Sequence, residues 1–507
     1  MSAPVQLRLG ALTALVVGSM VGGGIFSIPQ NTAASAGVGA TAVAWGITGL
    51  GMLALAFVFL NLALRQPHLD SGIYAYARAG FGPFTGFLSA WGYWFMAVLG
   101  NVGYYVLLFS TLGHYLPAFG DGNTPLAVAC ASVMLWGTHA LVLRGIKEAA
   151  RINQITTVAK LVPLLLFVVL VALAFKLDVF RAAGRGRANP QLGSVLDQVR
   201  GMMLVTVWVF IGVEGASVYS AHAARRGDVG RATLAGFLFV LALLVAVSLL
   251  SMGVMSQPEL AHLKNPSMAH VLERAVGPWG SALISVGLLI SLSGALLSWL
   301  MLSAETLYSA ARDGSAPSWL AGQNARGVPS NALWLTSGSV QLFLLITLVS
   351  NSTYLSLVNL GTAMILLPYT WAAGYAMKIA LRGDGYGVAD GRLRQRDAAV
   401  SALALLYAVW LVYAGGVKYL LLGALLYAPG AALYAWARRE HGKRVFSRRE
   451  WWGFAGLLLA AGVAALGLPR DTFMHEMGVS QFEINLLHGD PLLLADQTFL
   501  FKHLLKE

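Results

Sequence analysis

Apolar residues run in long blocks along this chain, and polar residues gather in the short stretches between them. Thirteen blocks approach or exceed the roughly 20 residues needed to cross a hydrocarbon core about 30 Å thick: 9–34, 39–63, 82–113, 124–143, 150–175, 198–221, 231–254, 278–308, 331–350, 354–377, 397–415, 417–437 and 451–468. Each is predicted to be helical, because a segment in hydrocarbon must satisfy its own backbone donors and acceptors. The first block leads into a second crossing without an A-x-A-type cleavage site, so it reads as a span and not as a removable leader. The predicted fold class is an all-α polytopic membrane protein.

Composition agrees with this pattern. Of 507 residues, 57% are hydrophobic and 11% charged, whereas soluble domains carry about 25% charged residues. A net charge of +12 would suggest nucleic acid in a soluble protein. Here the cations sit mainly in the short connections. Alternating the thirteen spans puts 22 Lys and Arg on the side of the N-terminus, 11 on the other and Lys160 inside the fifth span. The positive-inside rule then places the N-terminus in the cytoplasm and the tail beyond Arg470 outside, with Arg181, Arg185 and Arg187 running against the trend. The expected location is a bacterial cytoplasmic membrane. No nucleic acid partner and no cofactor are expected.

Catalytic and metal chemistry find no foothold. Cys130 is the one cysteine, which excludes an intrachain disulfide and a cysteine metal cluster. The ten histidines lack the spacing of a zinc site. With no G-x-x-x-x-G-K-[ST] loop, transport powered by ATP has no support, so any transport would be secondary.

Two spans carry interruptions. Residues 18–26 read Gly-Ser-Met-Val-Gly-Gly-Gly-Ile-Phe, and residues 208–216 read Trp-Val-Phe-Ile-Gly-Val-Glu-Gly-Ala. A glycine inside a helix costs about 1 kcal/mol relative to alanine, so three in succession suggest an unwound segment. Close helix packing through small residues is the alternative. The two interruptions lie five spans apart, each in the first helix of a five-helix repeat, the arrangement that marks a transporter site. Amides freed at the first break would face a carboxylate, and carbonyls freed at the sixth-span break would accept from an ammonium. Together they suit the backbone of an α-amino acid.

The segments 18–26 and 208–216, with Asp-Ser-Gly-Ile-Tyr-Ala-Tyr-Ala-Arg at 70–78, resemble the amino acid–polyamine–organocation transporters. Residues 90–94 (Ala-Trp-Gly-Tyr-Trp), 143–149 (Leu-Arg-Gly-Ile-Lys-Glu-Ala), 202–210 (Met-Met-Leu-Val-Thr-Val-Trp-Val-Phe) and 265–268 (Asn-Pro-Ser-Met) narrow the likeness. They are similar to the bacterial arginine/ornithine antiporters of the basic amino acid/polyamine antiporter group, over residues 8 to about 468. The resemblance implies inverted five-helix repeats, 8–177 and 197–380, within a transporter domain of 1–469, plus about three extra helices. It also implies amino acid substrates, arginine and ornithine, a lipid bilayer around the chain and a homodimer.

What it implies for single residues is as follows. Gly22, Gly23 and Gly24, with Ser19 and Met20 beside them, would hold the substrate carboxylate; Gly23 stands where related arginine exchangers often carry serine. Trp208, with Ile211 on the same break, would close over the side chain, and a guanidinium over an indole gains about 0.5–2 kcal/mol. Trp299, with Ser298, would form a second wall. Met96, Asn101 and Tyr104 match substrate-lining residues; Asn101 needs a polar partner, either substrate or another helix. Tyr93 would join a gating network on that face.

Two ionisable residues lie inside spans. Glu214 is the one carboxylate in the core of the sixth span, and intramembrane acids usually mark a pathway; it would sense pH or substrate charge, or serve as a hydrogen-bonded structural acid. Lys160 lies 11 residues into its span, roughly 16 Å deep. In related transporters a lysine here takes the place of a sodium ion. It would carry a proton or tether the carbonyls of the broken first span, and either role argues against sodium coupling. Glu305 is expected to be structural.

The tail, 470–507, departs from the transporter pattern and is similar to part of a glutamine synthetase catalytic domain. There, carboxylates matching Glu476 and Glu483 would bind divalent metal. With only about 37 residues of that fold present, neither a metal site nor synthetase activity is expected. The expected function is electroneutral exchange of arginine for ornithine. The alternatives are a proton-coupled symporter or an exchanger for another pair (lysine, histidine/histamine); a membrane amino-acid sensor is a more distant one.

Overall fold

The computed structural model describes residues 9–69, 72–145, 149–184, 192–214, 226–350, 354–387 and 390–467. Among them there are helices and connections, with no strand. The first span is α1 (Leu9–Met20), a 3-10 turn (Gly23–Ser27) and α2 (Ile28–Ser35), its two halves bent by 50°. Then come α3 (Val38–Arg65), α4 (Ile73–Phe81), α5 (Pro83–Gly113), α6 (Pro125–Leu143), α7 (Ala149–Leu173), α8 (Leu177–Gly184) and α9 (Val195–Trp208). The remainder is α10 (Arg226–Ser251), α11 (Gln257–Ala261), α12 (Ser267–Val276), α13 (Pro278–Arg312), α14 (Ser330–Ser350), α15 (Tyr354–Arg382), α16 (Gly391–Glu440) and α17 (Arg448–Gly467).

The predicted apolar blocks fall, among the described residues, on helices, except in the sixth, where helix ends at Trp208 and 209–214 run as turns. Among the described residues, eight helices are long and apolar enough to cross a bilayer, or nine with the bent first pair. The remaining predicted spans are α7, α9, α17 and one arm of α16. Side chains such as Val133 on α6, Leu173 on α7 and Leu466 on α17, all more than three-quarters exposed, face outward. Water would not tolerate that belt, whereas a bilayer covers it.

Two helices show how sequence places the core. α5 and α13 each begin with proline at the first turn, preceded by a glycine at positive φ: Gly82 at 100° and Gly277 at 93°. Proline lacks the amide that a helix start leaves unbonded, and glycine alone adopts the left-handed bend cheaply. A short helix, α4 or α12, precedes each glycine, so the same short helix–glycine–proline–long helix device occurs twice. α5 is almost wholly buried.

The contacts define two ends of the bundle. At one, Arg78 pairs with Asp313 at 2.6 Å, Tyr74 donates to Ser315 at 3.0 Å and Lys378 donates to the Gly80 carbonyl at 2.7 Å. At the other, Ser110 donates to the Asn265 carbonyl at 2.7 Å and His114 contacts the His270 ring. α5 and α13 therefore run antiparallel. The first end carries most of the basic connections.

α16 holds two predicted spans. Its 50 residues are interrupted at Gly416, with φ 78° and ψ 165°. Arg394 bonds the Ala380 and Leu381 carbonyls at the basic end, and Tyr434, far along the second arm, packs against Phe84 there with ring centroids 5.1 Å apart. Both arms thus leave from one end, and Gly416 is the apex of a hairpin with no loop. Cys130 is half-buried on α6.

Between α15 and α16, the Asp390 carboxylate accepts from the Gly387 amide at 3.1 Å and from Arg65 at 3.2 Å. Gly387 first, then Arg65, holds this carboxyl below the ordinary range. Its contribution to stability is present above the unfolded value of about 3.9 and lost as pH falls through the folded one. Thermal unfolding of wild type and Asp390→Asn should therefore differ slightly at neutral pH and converge in acid.

Candidate functional site

The two interruptions meet. After Met20 the backbone leaves the helix, with Gly22 extended at φ −105° and ψ −161° before the 3-10 turn. On the other side α9 ends at Trp208, and Gly212 takes φ 106°. A side chain on Gly212 would strike the Ser19 carbonyl, so only glycine lets the breaks touch. The second half of the sixth span, 215–225, lies outside the described residues.

A lysine ties down the first break. Lys160 on α7 is 6% exposed and its ammonium donates to the Gly18 carbonyl at 2.9 Å and also to the Val21 carbonyl. These acceptors lost helical partners when the span unwound.

Glu214 is likewise enclosed. Its Oε1 accepts from the Tyr93 hydroxyl at 3.0 Å, and its Oε2 accepts from the Tyr369 hydroxyl at 3.0 Å and the Gly212 amide at 3.1 Å. Tyr93 is on α5 and Tyr369 on α15, so the carboxylate joins the sixth-span break to two other spans. Tyr93 also lies 6.4 Å from the Trp299 ring.

Between the breaks is a cavity of about 30 Å³. It is lined by Ser19, Met20, Gly22, Gly24, Met96, Tyr104, Trp208, Ile211 and Trp299, all anticipated, and by Val21, Ile25, Ala97, Gly100, Val209, Val240 and Leu244. That volume holds about two waters, so an amino acid enters only after side chains swing aside. Three anticipated residues lie off the lining. Gly23 faces Leu292 and Tyr104, Asn101 donates to its own helix at the Ala97 carbonyl, 2.8 Å, and Ser298 donates to Gly294 at 3.1 Å. Glu305 is exposed on α13.

Trp208 is held by three glycines, of which sequence reading passed over Gly100 and Gly361. Its indole lies against Gly24, Gly100 and Gly361, and a methyl at Gly361 would come 3.3 Å from Cζ3. Tyr104 meets the ring edge-on at 6.4 Å. The Gly361→Ala variant should displace the indole by a few tenths of an ångström. We expect its apparent affinity for substrate in uptake assays to weaken about threefold with little loss of maximal rate.

Among the described residues the lining contains no carboxylate. Its polar equipment is one hydroxyl at the break (Ser19), a phenol, two indoles and glycine backbone. Such a site can accept a small zwitterion at the backbone and offer aromatic faces to a cation. Among the described residues no cluster of His, Cys, Asp and Glu could hold a metal.

Broken spans around an enclosed, backbone-rich cavity define a secondary transporter, and the chain belongs to the amino acid permease family, whose profile matches residues 7–429. It is a multi-pass membrane transporter and not an enzyme. It is 60% identical over 469 residues to the arginine/ornithine antiporter of Pseudomonas aeruginosa, covering 91% of this chain and 97% of that protein. Identity is 46% to the L-lysine transport protein of Corynebacterium glutamicum, over 92% of this chain and 96% of that protein. It is 41% to the arginine/agmatine antiporter of Chlamydia felis, over 87% and 92%. A glutamine synthetase catalytic-domain profile matches 455–507. Of that stretch, 455–467 belongs to α17 and the rest, with Glu476 and Glu483, lies outside the described residues.

Proposed function

We propose that this protein exchanges external arginine for internal ornithine by alternating access across a bacterial cytoplasmic membrane, with its N-terminus in the cytoplasm. The observation that carries this reading is the cavity between the two breaks, walled by Trp208 and Trp299. The names of the relatives point to cationic amino acids and their amines. Glycine amides at the first break take the carboxylate, and the indoles take the guanidinium or ammonium of the side chain. Gly22, Gly24, Ser19, Met20, Met96, Tyr104 and Ile211 shape the space between. Gly23, Asn101 and Ser298 stand just behind it and support the wall.

Arginine and ornithine carry equal charge near neutral pH, so one-for-one exchange moves no net charge. An empty carrier crosses slowly, and binding of either substrate offsets the barrier. The two short helix–glycine–proline–long helix segments, at opposite ends of the bundle, support a pair of inverted repeats, 8–177 and 197–380. A homodimer is part of this reading, as is a transporter unit ending near residue 469.

Uptake of labelled arginine into proteoliposomes tests it. Uptake should require internal ornithine and produce no current. Equal uptake into empty vesicles driven by a pH gradient would replace exchange with proton-coupled symport, the second reading, which the buried ammonium of Lys160 favours.

A further inference from the structure

The turn joining α16 to α17 is bonded within itself and strongly basic. His441 and Gly442 bond back to Ala437 and Arg439, with Gly442 at φ 62°. Arg438 donates to the Arg444 carbonyl at 2.9 Å. Phe446 plugs the turn into the bundle, stacked on Phe454 at 4.5 Å and edge-on to Phe84 at 5.2 Å. The two acids of the segment are engaged by helix starts: Glu440, exposed, accepts from the Ser318 amide at 3.0 Å, and Glu450, half-buried, accepts from the Phe84 amide at 3.0 Å and the Ser447 amide at 2.8 Å. They serve helix ends and leave the neighbouring cations unneutralised.

Arg439, Lys443, Arg444, Arg448 and Arg449 are all exposed, and among the described residues none makes an ion pair with an acid. Directly beside them Trp436 is 54% exposed, Trp451 55% and Trp452 78%. Indoles standing out from the ends of apolar helices sit at the boundary between hydrocarbon and headgroups. That fixes the depth of the cations, which lie in the headgroup layer itself.

We infer that this turn is a binding surface for anionic phospholipid headgroups. Charge complementarity selects phosphate, since every cation held near an anionic leaflet adds to the attraction. The plugged turn holds the cations in place, so little ordering is needed on binding. A zwitterionic headgroup gains less, because its own ammonium is repelled.

The test uses the full chain, reconstituted in an equal mixture of phosphatidylcholine and phosphatidylglycerol, re-extracted in detergent and assayed for each retained lipid class. Wild type should retain phosphatidylglycerol preferentially. Retention should fall at least about tenfold in the Arg444→Gln/Arg448→Gln/Arg449→Gln variant and persist when the same three arginines become lysine. Preference should also fade as salt rises for the wild-type protein, a measurement independent of any variant's folding. Equal retention of the two lipids, retention indifferent to salt, or a lysine variant as poor as the glutamine one would each overturn the inference.

Discussion

Replacing Lys160 with methionine is expected to cut exchange to a few per cent of wild type and to lower thermal stability. Methionine keeps nearly the same length and apolar stem, so packing along α7 changes little. What disappears is the ammonium that bonds the Gly18 and Val21 carbonyls. A buried polar group without a partner costs about 1–3 kcal/mol, and more where the lost bond was to a charged group. Two such carbonyls bring the cost to several kcal/mol, concentrated on the segment proposed to take the substrate carboxylate. Lys160→Arg keeps a donor and should recover part of the stability, although the guanidinium is large for so enclosed a place. Flux in proteoliposomes and unfolding in detergent measure the two effects separately. Wild-type flux in Lys160→Met would show that water or substrate satisfies the break instead, and would remove the tether from the mechanism.

Trp208→Leu should weaken apparent affinity for arginine by about 10- to 30-fold, the equivalent of a desolvated cation–π contact. With no carboxylate among the described lining residues, only the Trp299 indole and the Tyr104 phenol remain to face the cation, so the loss is partial. Competition by citrulline separates charge from shape, since it matches arginine closely but is neutral. Its inhibition constant should change much less than that of arginine. Trp208→Phe should lie between wild type and leucine. If citrulline and arginine weaken equally, the indole acts by packing in its glycine slot and the side-chain cation is recognised elsewhere.

The span pattern was readable because hydropathy registers directly in the sequence, down to the division of α16 at Gly416, where paired glycines separate two apolar blocks. The break at Gly22–Gly24 was readable for the same reason: glycine in mid-span is costly and therefore informative. Lys160 and Glu214 stood out as charges in hydrocarbon, but their partners did not. Backbone carbonyls have no sequence signature, and Tyr369 is one of 17 tyrosines. Val209, Val240 and Leu244 line the cavity yet resemble any lipid-facing residue. Asn101 misleads in the opposite sense, since a lone amide suggests a ligand and here bonds to the preceding turn of its own helix. The short helices α11 and α12 lie in a polar connection and escape any test based on long apolar runs.

Cys130 makes this carrier convenient to watch at work. Converting one half-buried thiol on α6 to serine yields a chain without cysteine, ready for reporters placed in pairs. A spin label or fluorophore at the Gly442 turn and another near Gly120, at opposite ends of the bundle, would give interprobe distances free of background signal. Recorded with arginine, with ornithine and with neither, those distances would resolve the transport cycle into populations and rates.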